Sequence, residues 1–171
     1  MVAKSVAKVK DSTLSFHMEI SYRSVDRTSS TEMAAIAATD MTIPALYDPL
    51  FVVNENTIAA RLDQLMKIKP DDFFEVAIIP SGKIVGYHAL TQFKTPHDTM
   101  AAEVYTLWVD PEFRQQGIAK TLKARGEDWA KGRGLHHLST FVNAKNDKML
   151  SLNEKDGFEI IGYKMRKLVS S

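Results

Sequence analysis

The apolar positions of this chain change period along its length, and each change marks an element. Phe16 to Val25 reads as a strand. Ser29 to Thr39 reads as a short helix, with Ser29 and Glu32 at the spacing of a capping box. Thr42 to Val53 carries Pro44, Tyr47, Pro49 and Phe51 with no regular period and reads as irregular. A second helix follows to about Lys67, because Ile58, Leu62, Leu65 and Met66 fall at i, i+4, i+7 and i+8 on one helical face. Phe73 to Ile79 and Lys83 to Phe93 are strands joined by Pro80-Ser81-Gly82, a hairpin signal. Thr95 to Thr99 is a polar loop, and Met100 to Val109 is a further strand stopped by Asp110-Pro111. Gln115 to Lys131 is a helix with Ile118, Leu122 and Trp129 on one face and Gly132 and Gly134 as its stop. Leu135 to Val142 is a strand, and Asn146 to Lys155 is a helix ended by Gly157. Phe158 to Leu168 is expected as a final strand, bent near Gly162.

This order predicts an α/β fold with a mixed, twisted sheet flanked by about four helices. Hairpin-length links imply mostly antiparallel pairing, and the strand-helix-strand unit from Met100 to Val142 implies one parallel pair. The length of 171 residues fits one domain, expected over 13–171 behind a flexible tail at 1–12. Lys and Arg number 22 against 21 Asp and Glu, so no global charge draws the chain to nucleic acid or membrane. The absence of cysteine excludes disulfides, thiolate metal sites and a cysteine nucleophile. No run approaches a membrane span, and Met1 to Lys10 has positive charge but no apolar h-region, so no signal peptide is expected and a cytoplasmic location is.

The stretch Leu107-Trp108-Val109-Asp110-Pro111-Glu112-Phe113-Arg114-Gln115-Gln116-Gly117-Ile118-Ala119-Lys120 bears the most chemistry. A strand runs through a proline-marked turn into a helix start. The first N–H groups of a helix lack partners, and the dipole is positive there, so an anion such as pyrophosphate can occupy them. Gly117 and Ala119 leave the backbone uncovered, and Arg114 and Lys120 add local positive charge. On physics alone an ordinary glycine-bearing helix start is the competing reading. No Gly-Lys-Ser/Thr follows, so this is not a Walker A loop. Gly132-Arg133-Gly134 sits at a helix end, where it is a C-terminal stop.

The stretch resembles motif A of the GNAT superfamily of acyltransferases, Q/R-x-x-G-x-G/A at a strand-to-helix turn, with Arg114, Gly117 and Ala119 in its fixed places. A second stretch, Asn146, Leu150, Asn153 and Gly157-Phe158, is spaced like that family's N-x-x-A-x-x-L-Y-x-x-x-G-F, with Asn153 where a tyrosine is frequent and Met149 in place of a small residue. The resemblance implies a GNAT fold and acetyl-CoA as acyl donor; with no Cys and no H-x-x-x-H, no metal site is expected. It implies that the amides of Arg114, Gln115, Gln116, Gly117, Ile118, Ala119 and Lys120 hold the pyrophosphate. It further implies that the open backbone of Leu107, Trp108 and Val109 holds the pantetheine arm, with Asn146 and Asn153 beside it. A neutral amide cannot protonate a departing thiolate as the frequent tyrosine does, but Asn153 can still hydrogen-bond CoA or serve only as a polar helix residue.

The expected reaction is acetyl transfer to a primary amine, of a small molecule or a peptide, by direct attack in a ternary complex. A different acyl group, a hydroxyl acceptor and a CoA-binding module without turnover are the alternatives, and a homodimer is left open. Glu103 is the candidate general base, as glutamate at this place is in some family members, against a purely structural glutamate; His88 is the next candidate. Tyr87 and His88 belong either to the core or to the acceptor cleft. His136-His137, adjacent on a strand, should point to opposite faces and chelate nothing. The link between the first two helices, with Asp40, Tyr47, Asp48, Phe51 and Glu55, is a weak hint of a cationic acceptor.

Overall fold

A computed structural model describes residues 19–168. The elements run β1 (Ser21–Ser24), α1 (Ser30–Asp40), α2 (Thr42–Ala45), α3 (Glu55–Met66), β2 (Phe73–Ile78), β3 (Ile84–Lys94) and β4 (Met100–Val109). A 3-10 turn (Pro111–Phe113), α4 (Ile118–Gly132), β5 (Leu138–Thr140) and α5 (Asp147–Lys155) follow. The sheet order is β1-β2-β3-β4-β5, antiparallel throughout except for the parallel β4–β5 pair. This is the mixed sheet that the hydrophobic pattern predicts.

The two faces of the sheet are buried by different helices. Val76, Tyr87 and Ala89 pack with Met33 and Ile36 of α1 and Leu65 of α3. On the opposite face Ala77 and Val85 pack with Ile118 and Leu122 of α4. Each of these large aliphatic side chains contributes about 1.5–3 kcal/mol by leaving water. Two glycines set how closely α4 approaches: a Cβ on Gly86 would lie 2.9 Å from Ile118 Cγ2, and one on Gly126 would lie 3.0 Å from Leu90 Cδ1. The start of α4 is thereby pressed against the sheet, next to the end of β4.

The predicted box at α1 forms by half. Ser29 accepts from Glu32 N–H, but the Glu32 carboxylate turns to Arg23, at 2.7 and 2.9 Å, and to Asp26 N–H. A reciprocal capping box is found instead at α3, between Asn54 and Thr57. The segment 42–53 contains the short helix α2. The predicted strand Leu135–Val142 shrinks to Leu138–Thr140, and α4 begins at Ile118 rather than Gln115, because Gln115 has a φ of 65° that no helix admits. The final strand expected over Phe158–Leu168 is absent: its residues carry strand-like alternation but pair with no neighbouring edge, and Ile161, Tyr163 and Met165 stand exposed. The expected tail at 1–12 and the start of the first strand, 16–18, lie outside the described residues.

Candidate functional site

An irregularity in β4 opens the sheet. In the β3–β4 register Ala89 opposes Thr106 and Leu90 opposes Val104, so Tyr105 is an extra residue, a β-bulge. On its other edge β4 pairs with β5 only from Ala102 to Val104. Beyond the bulge β4 stays bonded to β3 while its β5-facing edge is free. Asp110 N–H donates to Val85 O on the β3 side at 2.9 Å, and alternation turns the backbone groups of Leu107 and Val109 to the free edge. Val109 O accepts there from Arg114 Nε at 3.1 Å.

The free edge leads into the turn before α4. The buried Asp110 accepts from Glu112 N–H at 3.0 Å and pairs with Lys83 at 2.9 Å, and hydrogen bonding to Lys83 holds its carboxyl below the usual range. That fixes Pro111–Phe113 as a 3-10 turn and buries Phe113 beneath it. Gln115 and Gly117 then take left-handed conformations at φ 65° and 82°. Gly117 caps α4 without a side-chain bond, and the space around its Cα is open. Arg114, Gln115, Gln116, Gly117 and Lys120 are exposed, while Ile118 is buried and Ala119 half-buried. The backbone N–H groups at the start of α4 thus face solvent across an uncovered surface, which is what an anion requires.

On the other side the free edge opens into a cleft of about 1040 Å³, bounded by α1, α3, β4, α4, α5 and the C-terminal segment. Its floor is a buried polar network. Asp40, only 4% exposed, accepts from Arg61 Nε at 2.6 Å, from Tyr87 Oη at 3.2 Å and from the Thr106 hydroxyl. The Arg61 guanidinium lies 4.4 Å above the Tyr105 ring, on the bulge itself, and its Nη1 donates to Gln64 at 3.1 Å. Burial and the Asp40 carboxylate push the Tyr87 phenol far up, so it stays protonated as a donor. Asp40 was a weak hint in the sequence; Arg61 and Thr106 carried no signal. On the α5 wall Asn153, 7% exposed, accepts from Lys123 Nζ at 3.2 Å, and Lys123 also pairs with Asp156. Asn146 is the N-cap of α5, accepting from Met149 N–H at 3.2 Å, and it also lines the cleft.

The remaining candidates separate. Glu103 is exposed on β4, opposite Thr91 and Ser139 and one residue before the stretch Val104–Leu107 that lines the cleft. His88 lies under α4 against Phe73, at a ring distance of 5.6 Å, with both ring nitrogens unpaired. Burial and then the charge of Lys123 lower its pKa to about 3, so it is a neutral core residue and not a base in the cleft. His136 and His137 do not alternate across a strand; they precede β5 and bring their Nδ1 atoms to 3.3 Å. No cluster of three or more metal-ligating side chains occurs among the described residues. No described helix is long and apolar enough to cross a membrane. Asp48, in the link between α2 and α3, pairs with Arg166 at 2.7 Å, which ties the C-terminal segment to the cleft wall and holds the Asp48 carboxyl low.

Residues 41–158 match the family model described as Acetyltransferase (GNAT) family. The chain is 33% identical over 86 residues to a mycothiol acetyltransferase of Salinispora tropica, covering 50% of this chain and 28% of that one. It is 31% identical over 97 residues to an uncharacterized N-acetyltransferase of Methanocaldococcus jannaschii, covering 56% of this chain and 42% of that one. The matched part is therefore well under half of either relative. An aminoglycoside acetyltransferase from an uncultured soil metagenomic sample superposes with a TM-score of 0.66 at 18% identity, over 90% of this chain and 100% of that one, a likeness of fold.

Proposed function

The chain belongs to the acetyltransferase (GNAT) family, and from that premise we propose that it transfers the acetyl group of acetyl-CoA to a primary amine by direct attack in a ternary complex. One observation carries the reading: the free edge of β4 lies between the exposed turn that opens α4 and the bulge at Tyr105, where it enters the cleft. That path suits a long donor with anionic phosphates at one end and a thioester at the other. The N–H groups from Gln115 to Lys120 take the pyrophosphate, with the Arg114 guanidinium beside them, since the Arg114 N–H itself donates to Pro111 O in the 3-10 turn. The backbone of Leu107 and Val109 takes the amides of the pantetheine arm, as an added strand takes an edge, whereas the backbone groups of Trp108, expected to join them, are turned to Tyr87 of β3. A strand N–H near the bulge polarises the thioester carbonyl where charge develops on its oxygen. Asn146 and Asn153 border the arm from α5.

The acceptor enters by the side of the cleft that holds Asp40, Tyr47 and Asp48. The match to a relative named for mycothiol supports a small-molecule amine over a peptide amine. Glu103 is the base, taking the proton of the attacking nitrogen through water from its exposed place beside the cleft lining. The reaction is assigned to the cytoplasm and requires no metal. An amine screen followed by release of free CoA tests the reading, and binding of acetyl-CoA without turnover on any amine would overturn amine acetylation and leave a hydroxyl acceptor, another acyl group or a CoA-binding module. Glu103→Gln keeps the shape and removes the basicity; turnover should fall about 10²–10⁴-fold with acetyl-CoA affinity preserved. Turnover within a few-fold of the parent would make Glu103 structural.

A further inference from the structure

We propose that the ammonium of Lys123 faces the sulfur of the acyl donor and receives the charge that the departing thiolate develops; the inference rests on the acetyl-CoA reading above. Two cations are largely buried in the wall of the cleft, Arg61 and Lys123, with side chains 12% and 17% exposed. Arg61 is consumed: Nε and Nη2 go to Asp40, Nη1 goes to Gln64, and the guanidinium face covers Tyr105. Lys123 is not. An ammonium has three donors, and Asn153 Oδ1 and the Asp156 carboxylate take two of them. The third has no acceptor among the described residues, and the side chain borders the same cavity as Thr106 and Leu107 at the bulge.

The surroundings of Lys123 hold it in place. Its Nζ stands 5.9 Å from the Phe158 ring, α5 supplies Asn153 and the residue that caps its end, Asp156, and β3 supplies only the neutral His88. A buried ammonium needs a counter-charge, and Asp156 supplies it from a partly exposed position. Asn153 thereby acts as a positioning residue, its carbonyl oxygen aiming Lys123 along the cleft wall.

In the transfer the amine nitrogen bonds to the carbonyl carbon, the carbon–sulfur bond breaks, and its electron pair stays on sulfur. Lys123 donates a hydrogen bond to that sulfur and keeps its proton, so the charge comes to rest on a thiolate beside an ammonium. The proton lost by nitrogen passes through water to Glu103 and on to solvent, so the products are the amide, one proton and CoA as the thiolate, which takes up a proton on release.

The test needs no acceptor. CoA is bound to the whole protein and its thiol is titrated by the ultraviolet absorbance of the thiolate. The bound thiol should ionise about one to three pH units below free CoA, as a group does beside an opposite charge. Lys123→Met should return it to the value of free CoA, and Lys123→Arg should keep most of the lowering. A bound thiol that titrates like free CoA, or a Lys123→Met protein that titrates like the parent, overturns the assignment while leaving acetyl transfer standing. Failure of CoA to bind the parent overturns both. The parent compared with free CoA decides the matter even if Lys123→Met does not fold.

Discussion

The two ends of the site are built in opposite ways. The turn before α4 is exposed, made of backbone, and drawn from one run of residues, Asp110 to Lys120. The floor of the cleft is buried, made of side chains, and assembled from α1, α3, β3 and β4 through Asp40, Arg61, Tyr87 and Thr106. A backbone site needs only the right φ angles, so Gly117 and its neighbours write it locally. A side-chain network needs elements far apart in sequence to be docked first. The turn should therefore tolerate most changes of side chain yet fail on one change of backbone, while the floor should fail on the loss of any one partner.

The largest effect is expected at the floor. Asp40→Ala leaves the Arg61 guanidinium buried without its carboxylate, and leaves the hydroxyls of Tyr87 and Thr106 unpaired. Removing one partner of a buried pair costs about 3–5 kcal/mol, which urea unfolding would read directly. A loss below about 1 kcal/mol would show that water enters the network freely and that the contrast between the two ends is wrong.

At the turn the effect is on ligand more than on fold. Acetyl-CoA at about a hundredfold over Kd should stabilise the parent by about 2.7 kcal/mol. Gly117→Glu places a like charge and a Cβ at φ 82°, so that stabilisation should vanish in a thermal melt. A shift equal to the parent's would remove the turn from the donor site.

A smaller effect sharpens the comparison from a third place, the opposite face of the sheet. His88 is neutral when folded, with a pKa lowered to about 3, and in the unfolded chain it titrates near 6.5. A depressed folded pKa means that the unfolded chain binds the extra proton, so stability is full above about pH 6.5 and declines as pH falls toward 3. Between about pH 7 and pH 5 the parent should lose about 2 kcal/mol through this group. His88→Met, which keeps the volume and removes both unpaired nitrogens, should abolish that part of the decline. Parallel pH profiles for the two proteins would show that His88 finds a partner or water.

The legible parts of this molecule are those in which neighbours in sequence are neighbours in space. The period of Ile58, Leu62 and Leu65 marked α3, Pro80-Ser81-Gly82 marked the hairpin, and Arg114 to Ala119 marked the turn, since φ preferences and helix faces act over a few residues. Asn153 was legible as a position, not as a buried acceptor of Lys123, because that contact depends on α5 packing against α4. His88 read as a possible base until the docking of α4 over Gly126 enclosed it. The strand expected over Phe158–Leu168 had the right alternation, but a strand exists only where an edge pairs with it, and alternation cannot say whether one does. By itself the sequence determined the order of the elements from β2 to α5 and the turn that opens α4, which are local consequences of backbone preference. Only the tertiary structure decided the bulge at Tyr105, the open edge beyond it and the Asp40 network, because each depends on which distant residue a group meets once water is excluded.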